Sequence, residues 1–79
     1  MKDRFRVWVY DVKTKEHSIF KNLAFFALSI NRSDRAIGPY RNNDFLYLDR
    51  YLIIGITNRP KFDRLKAKYN IDDSCFPIE

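Results

Sequence analysis

The sequence predicts a small α+β domain over residues 1–79. Three observations carry that prediction. A two-residue alternation stands near the start, apolar residues at helical spacing follow it, and short apolar runs precede a basic, helix-like segment. A chain of 79 residues fits one domain near the lower limit of unaided folding. Its 46% hydrophobic content, with seven Phe, five Tyr and one Trp, is enough for a compact core.

Phe5, Val7 and Val9 alternate with Arg6, Trp8 and Tyr10, the pattern of a strand. Residues 11–16 are polar and suit a turn, and residues 17–20 return as a second strand, making an opening hairpin. Asn22 can cap a helix by accepting a backbone N–H of the first turn. Leu23, Phe26, Ala27 and Ile30 then recur at helical spacing, and Ala24 and Leu28 widen the stripe, so this short helix is expected to be mostly buried. Ser33 is a second cap, with the negative charge of Asp34 favourable at the first helical position.

Residues 34–37 can make one turn of that second helix, which is expected to be short or kinked there. Gly38 and Pro39 follow, and a proline disfavours the helical region for the residue before it. Residues 42–44 read as a loop. Residues 45–48 and 51–54 are apolar runs around Asp49 and Arg50, which suits a second hairpin. Thr57 or Asn58 caps a last helix over residues 58–70, with Pro60 in its first turn. Phe62, Leu65 and Tyr69 supply its apolar stripe, and Arg59, Lys61, Arg64, Lys66 and Lys68 make its remainder basic. Residues 71–79 form a mildly acidic tail in which Pro77 opposes regular structure.

The side-chain inventory disfavours catalysis. His17 is the single histidine, and an exposed strand histidine is its simplest reading. Cys75 is the single cysteine, so neither an internal disulfide nor a cysteine metal site is expected, and its acidic and apolar neighbours disfavour a thiolate. Asp72 and Asp73 are an adjacent, solvated pair. Two isolated glycines, Gly38 and Gly55, cannot build a phosphate-cradling loop. No enzyme, cofactor or metal is therefore expected. The apolar runs are too short to span a bilayer, and the chain reads as soluble and cytoplasmic.

The net charge of +5 points instead to a polyanion. An apolar helix, a polar turn and a capped second helix with arginines make a helix-turn-helix, whose second member reads DNA from its N-terminal residues. Asn31, Arg32, Ser33 and Arg35 occupy that position, and Tyr40, Arg41, Asn42 and Asn43 follow as a second polar, basic group. Arginine can pair with guanine and asparagine with adenine, while serine can hold phosphate. Lys21, Arg59, Lys61, Arg64 and Lys68 are candidates for secondary contacts to the phosphate backbone. The basic last helix equally suits an ordinary solvated face.

The same residues support a family resemblance. Val7 to Asp11, Phe20 and the Ala24 to Leu28 helix, then residues 29–37, and finally residues 46–53, follow an order similar to the nuclease-associated modular DNA-binding domain found beside homing-endonuclease catalytic domains. The resemblance covers residues 7–55 and implies a non-catalytic helix-turn-helix that binds double-stranded DNA with sequence tolerance. Asn31, Arg32, Ser33 and Arg35 are the residues it places at the DNA. Gly38 and Pro39 depart from the family's longer second helix, and no cutting constellation accompanies the module. By analogy, this is a free-standing copy serving a phage or mobile element.

Two rival readings belong to other classes. One is a protein-interaction or inhibitor module acting on a host protein through exposed aromatic faces. The other is a single-stranded nucleic-acid or RNA binder that stacks bases on Trp8, Tyr10 and Tyr40. Burial of Trp8 and Tyr10 beneath the last helix is the expected arrangement. Oligomeric state is left open by the sequence.

Overall fold

A computed structural model describes residues 6–77. The start of the first expected strand at Phe5 and the last two residues of the tail lie outside the described residues. Strands β1, Val7–Asp11, and β2, Glu16–Phe20, form the expected antiparallel hairpin, with Val7 opposite Phe20 and Asp11 opposite Glu16. Asp11 turns the chain by accepting N–H bonds from Lys13 and Thr14 on Oδ1, at 2.9 and 3.3 Å. Lys15, at φ 66°, then donates its N–H to the Asp11 carbonyl at 2.7 Å.

Helix α1, Leu23–Ser29, begins where Asn22 Oδ1 accepts the Phe25 N–H at 3.0 Å. It ends in a Schellman closure: Asn31 adopts φ 60°, its N–H bonds to the Leu28 carbonyl, and the Arg32 N–H bonds to the Ala27 carbonyl at 2.8 Å. Asparagine tolerates this left-handed conformation better than most residues. Phe26 and Ala27 are buried as expected, whereas Ala24, Phe25 and Leu28 are exposed, Leu28 by 74%. α1 therefore buries a narrow stripe, because only the sheet and the next helix cover it.

Helix α2, Asp34–Asn42, starts at the Ser33 cap, whose Oγ accepts the Arg35 N–H at 3.2 Å. It passes through Gly38 and Pro39 and does not stop after one turn. Part of the pre-proline restriction is a clash with a Cβ, and glycine has none. Pro39 still deprives the helix of one hydrogen bond. Tertiary contacts make up the loss: Ile37 is buried and the Tyr40 ring meets Tyr47 edge-on at 5.2 Å.

Strand β3, Tyr51–Gly55, lies antiparallel to β1 with Val9 opposite Ile53, so the sheet order is β2-β1-β3. The expected second hairpin shrinks to one bridge between Tyr47 and Tyr51, around a turn in which Leu48 and Asp49 take φ 57° and 54°. Pairing with the buried β1 covers more apolar surface than pairing with residues 45–48, of which Phe45 and Leu48 are exposed, would. Helix α3, Arg59–Lys66, follows the Asn58 cap with Pro60 in its first turn, and stops short of the expected residue 70. Asn70, at φ 59°, turns the chain out, and the Ile71 N–H bonds back to the Lys66 carbonyl at 2.8 Å.

The sheet is the middle of three layers. Val7, Val9 and Ile53 face α1 and α2 and pack with Phe26, Ala27, Ile37 and Tyr47. Trp8, Tyr10, Leu52 and Ile54 face α3 and pack with Phe62, Leu65, Ile71 and Phe76. Because both faces are covered, the alternation of β1 sorts its residues between two cores rather than between core and solvent. The Trp8 ring meets Phe62 edge-on at 5.5 Å, and its N–H donates to the Cys75 carbonyl at 3.0 Å. The tail, with a single 3-10 turn over Asp73–Cys75, is thus part of the second core.

Candidate nucleic-acid interface

The turn between α1 and α2 holds Asn31, Arg32 and Ser33. Two of these residues have backbone duties: Asn31 supplies the left-handed closure of α1, and Ser33 caps α2. Arg32 and Arg35 are exposed and form no ion pair among the described residues. The only carboxylate on this turn is Asp34, placed where the helix N-terminus favours a negative charge.

The outward face of α2 carries Arg35, Pro39 and Asn42 at intervals of four and three residues, and all three are exposed. Nine helical residues span about 13 Å, so the two expected groups do not form one patch. Asn31 to Arg35 lie at one end, and Tyr40 to Asn43 at the other. Within the second group, Tyr40 is half-buried against Tyr47, and Asn43 Oδ1 accepts the Phe45 N–H at 2.9 Å. Arg41 is half-buried with its guanidinium beside Gly55, where an added Cβ would meet Nε at 3.1 Å. Only Asn42 of that group stands fully outward.

The hairpin tip adds two lysines that the sequence reading did not single out. A cleft of about 210 Å³ separates α1 from β2, and Ser29 and Ile30 face Glu16, His17 and Ser18 across it. The end of α1, and with it the turn to α2, therefore lies at the same end of the molecule as the β1–β2 loop. Lys13 and Lys15 in that loop are exposed and form no ion pair among the described residues. A Lys-x-Lys pair in a polar turn was the available signal.

The expected backbone contacts on α3 fare differently. Lys61 is corrected outright: it is 1% exposed and cannot reach a phosphate. Its ammonium donates to the carbonyls of Tyr40 at 2.9 Å, Arg41 at 3.1 Å and Ile53 at 2.6 Å. Tyr40 and Arg41 are in the last turn of α2, whose carbonyls have no partner within the helix. The Ile53 carbonyl points away from β1, at the free edge of β3. One cation thus caps α2 and seals the sheet edge. Burial pushes its pKa down to about 8, the charge of Asp44 partly opposing that shift.

Arg59 is paired with Asp63 at 3.0 Å and also with Asp73. Arg64 holds Asp44 through two bonds, at 3.2 and 2.7 Å, which keeps that carboxyl below its usual range. Lys66 holds Asp73 at 2.6 Å. Lys68 and Lys21 are exposed, their ammonium groups 5.5 and 5.4 Å from the ring centres of Tyr69 and Phe25. Trp8 and Tyr10, the proposed stacking platform for single strands, are buried between the sheet and α3 and offer no face to a base.

Among the described residues no cluster of His, Cys, Asp and Glu could hold a metal ion, and no helix is long and apolar enough to cross a membrane. No known protein family, curated protein or solved structure matches this chain.

Proposed function

We propose that this domain is a non-catalytic binder of double-stranded DNA that uses the helix-turn-helix turn and the first turn of α2. The observation that supports the reading is the distribution of uncommitted charge. On α3 the cations are buried or matched by carboxylates, whereas Lys13, Lys15, Arg32 and Arg35 stand exposed at one end of the molecule and form no ion pair among the described residues. Glu16 and Asp34 offset part of that charge, and a net positive end remains. A helix braced by a second helix, with cations at its start, suits a groove flanked by phosphates. The sequence resemblance to nuclease-associated DNA-binding modules supports the same surface.

The test is fluorescence anisotropy on a random-sequence duplex across a salt series. Affinity falls steeply with salt, and the double substitution Arg32→Ala, Arg35→Ala flattens the log–log slope by about 2. Negligible binding at low salt, or a slope indifferent to both arginines, overturns the reading.

A further inference from the structure

We propose that the tip of the β1–β2 hairpin is a second DNA contact, in which Lys13 and Lys15 hold phosphates of the strand that flanks the groove entered by α2. The inference rests on the DNA reading above and adds to that surface a separate element with its own chemistry. Lys13 and Lys15 are exposed and form no ion pair among the described residues. Positive charge held outside ion pairs is what a row of phosphates attracts.

The tip is a fixed mount for those two side chains. Asp11 Oδ1 accepts the Lys13 and Thr14 N–H groups, which shapes the backbone as it enters the loop. The other oxygen, Oδ2, accepts the Arg50 Nε–H at 2.7 Å and so ties the loop to the residue before β3. Thr14 Oγ1 accepts the Glu16 N–H at 3.4 Å on the far side. The Asp11 carboxylate is thus used within the fold. Glu16, in the wall of the cleft beside the tip, offsets one lysine charge and leaves the tip net positive.

Lys15 adds an observation independent of charge. Its φ of 66° is left-handed, where glycine, asparagine or aspartate fit with less strain. Asn31, Asp49 and Asn70 follow that preference at their own left-handed positions, and Lys15 departs from it. An exposed side chain kept on a strained backbone points to a use for the side chain.

Position gives that use its direction. The cleft of about 210 Å³ is walled by Glu16, His17 and Ser18 on one side and by Ser29 and Ile30 on the other, so the hairpin tip and the α1–α2 turn flank one opening. A major groove is about 12 Å wide and bounded by phosphates on both sides. With the start of α2 in the groove, an element beside the turn stands over a bounding strand. Ammonium groups hold phosphate as point charges, without bidentate geometry. Residues 12–15 include no arginine, asparagine or glutamine to read a base edge. The hairpin therefore anchors the domain irrespective of sequence, and any base preference resides in the α1–α2 turn.

Fluorescence anisotropy across a salt series, on one A·T-rich and one G·C-rich duplex, tests the proposal. Lys13→Ala and Lys15→Gly each flatten the log–log slope by about 1 and weaken binding to both duplexes by the same factor. Lys15→Gly does so with an equal or higher melting temperature, because glycine accepts the left-handed backbone. Lys66→Ala removes a cation that is paired with Asp73 on α3 and leaves the slope unchanged. A slope unmoved by both hairpin substitutions overturns the proposal, as does an equal loss in Lys66→Ala. A slope that responds to the hairpin lysines but not to Arg32 and Arg35 overturns the helix-turn-helix reading and leaves the hairpin contact standing. A response to the arginines alone does the reverse, and absence of binding overturns both.

Discussion

Arg59, Lys61, Arg64 and Lys66 on α3 outnumber Arg32 and Arg35 at the start of α2, yet the smaller set is the one that faces solvent without an ion-pair partner among the described residues. On α3 each cation acts inside the protein. Arg64 ties the helix to the loop after α2, Arg59 and Lys66 tie it to the tail, and Lys61 reaches past the sheet edge into the end of α2. The comparison teaches that net charge counts residues, whereas recognition depends on the charges the fold leaves over.

The strongest way to break this comparison is Lys61→Met. Three carbonyls lose this donor, that of Ile53 buried and those of Tyr40 and Arg41 part-buried, and an unsatisfied buried polar group costs about 1–3 kcal/mol. Chemical denaturation should show a loss of about 3 kcal/mol, some of it recovered as the site relaxes and water enters. A change below about 0.5 kcal/mol, the range of ordinary surface substitutions, would place Lys61 among the outward cations.

Alkaline pH gives an effect of similar size and a defined sign. Lys61 titrates at about 8 in the fold and near 10.5 when free. Between those values the unfolded chain binds more protons at this residue than the native one, so its contribution to stability rises with pH. Below pH 8 the cost of burying the charge is fully present. Measured as the difference between the parent and Lys61→Met, stability should climb by on the order of 3 kcal/mol from pH 7.5 to 10.5. A flat difference would mean that the carbonyls hold the ammonium charged throughout.

A smaller effect tests whether α3 compensates for the weakness of α2. Pro39→Ala restores a helix hydrogen bond and should stabilise the domain. If Lys61 props up the last turn of a proline-weakened helix, the two substitutions couple. Pro39→Ala should then reduce the cost of Lys61→Met by about 1 kcal/mol in a double-mutant cycle. Smallest of all is Arg59→Ala with Arg64→Ala. These solvent-exposed pairs contribute about 0–1 kcal/mol, and their removal should leave the salt slope of DNA binding nearly unchanged. A slope that falls as far as with Arg32→Ala and Arg35→Ala would erase the distinction between the two regions.

Local signals made much of the fold legible. The β1–β2 hairpin, the caps at Asn22, Ser33 and Asn58, and the Phe62–Leu65 stripe each follow from residues close in sequence. What escaped depended on distant partners. α2 continues past Gly38 and Pro39 with its end capped by a lysine 20 residues downstream of Arg41. β3 leaves its sequence neighbour for β1, whose partners Asp11 to Val7 lie 40 to 48 residues earlier, and that choice depends on two-sided burial. Lys61 itself left a trace, since it stands four residues before Leu65 and next to Phe62, on the inner face of α3. The candidate interface was legible as residue types but not as one surface, because helix length separates the two ends of α2 and the hairpin lysines enter only through the fold.

The left-handed positions carry one more consequence. Lys15, Asn31, Leu48, Asp49 and Asn70 all have positive φ, while neither Gly38 nor Gly55 does. Glycine suits such a backbone without steric penalty, and a side chain there gives up part of the stability otherwise open to the fold. This architecture therefore holds a reserve. Single changes to glycine at Lys15, or to asparagine at Leu48, can offset destabilising changes elsewhere, such as a redesigned α2 face. The domain's capacity to take on a new sequence is written less in its core than in its turns.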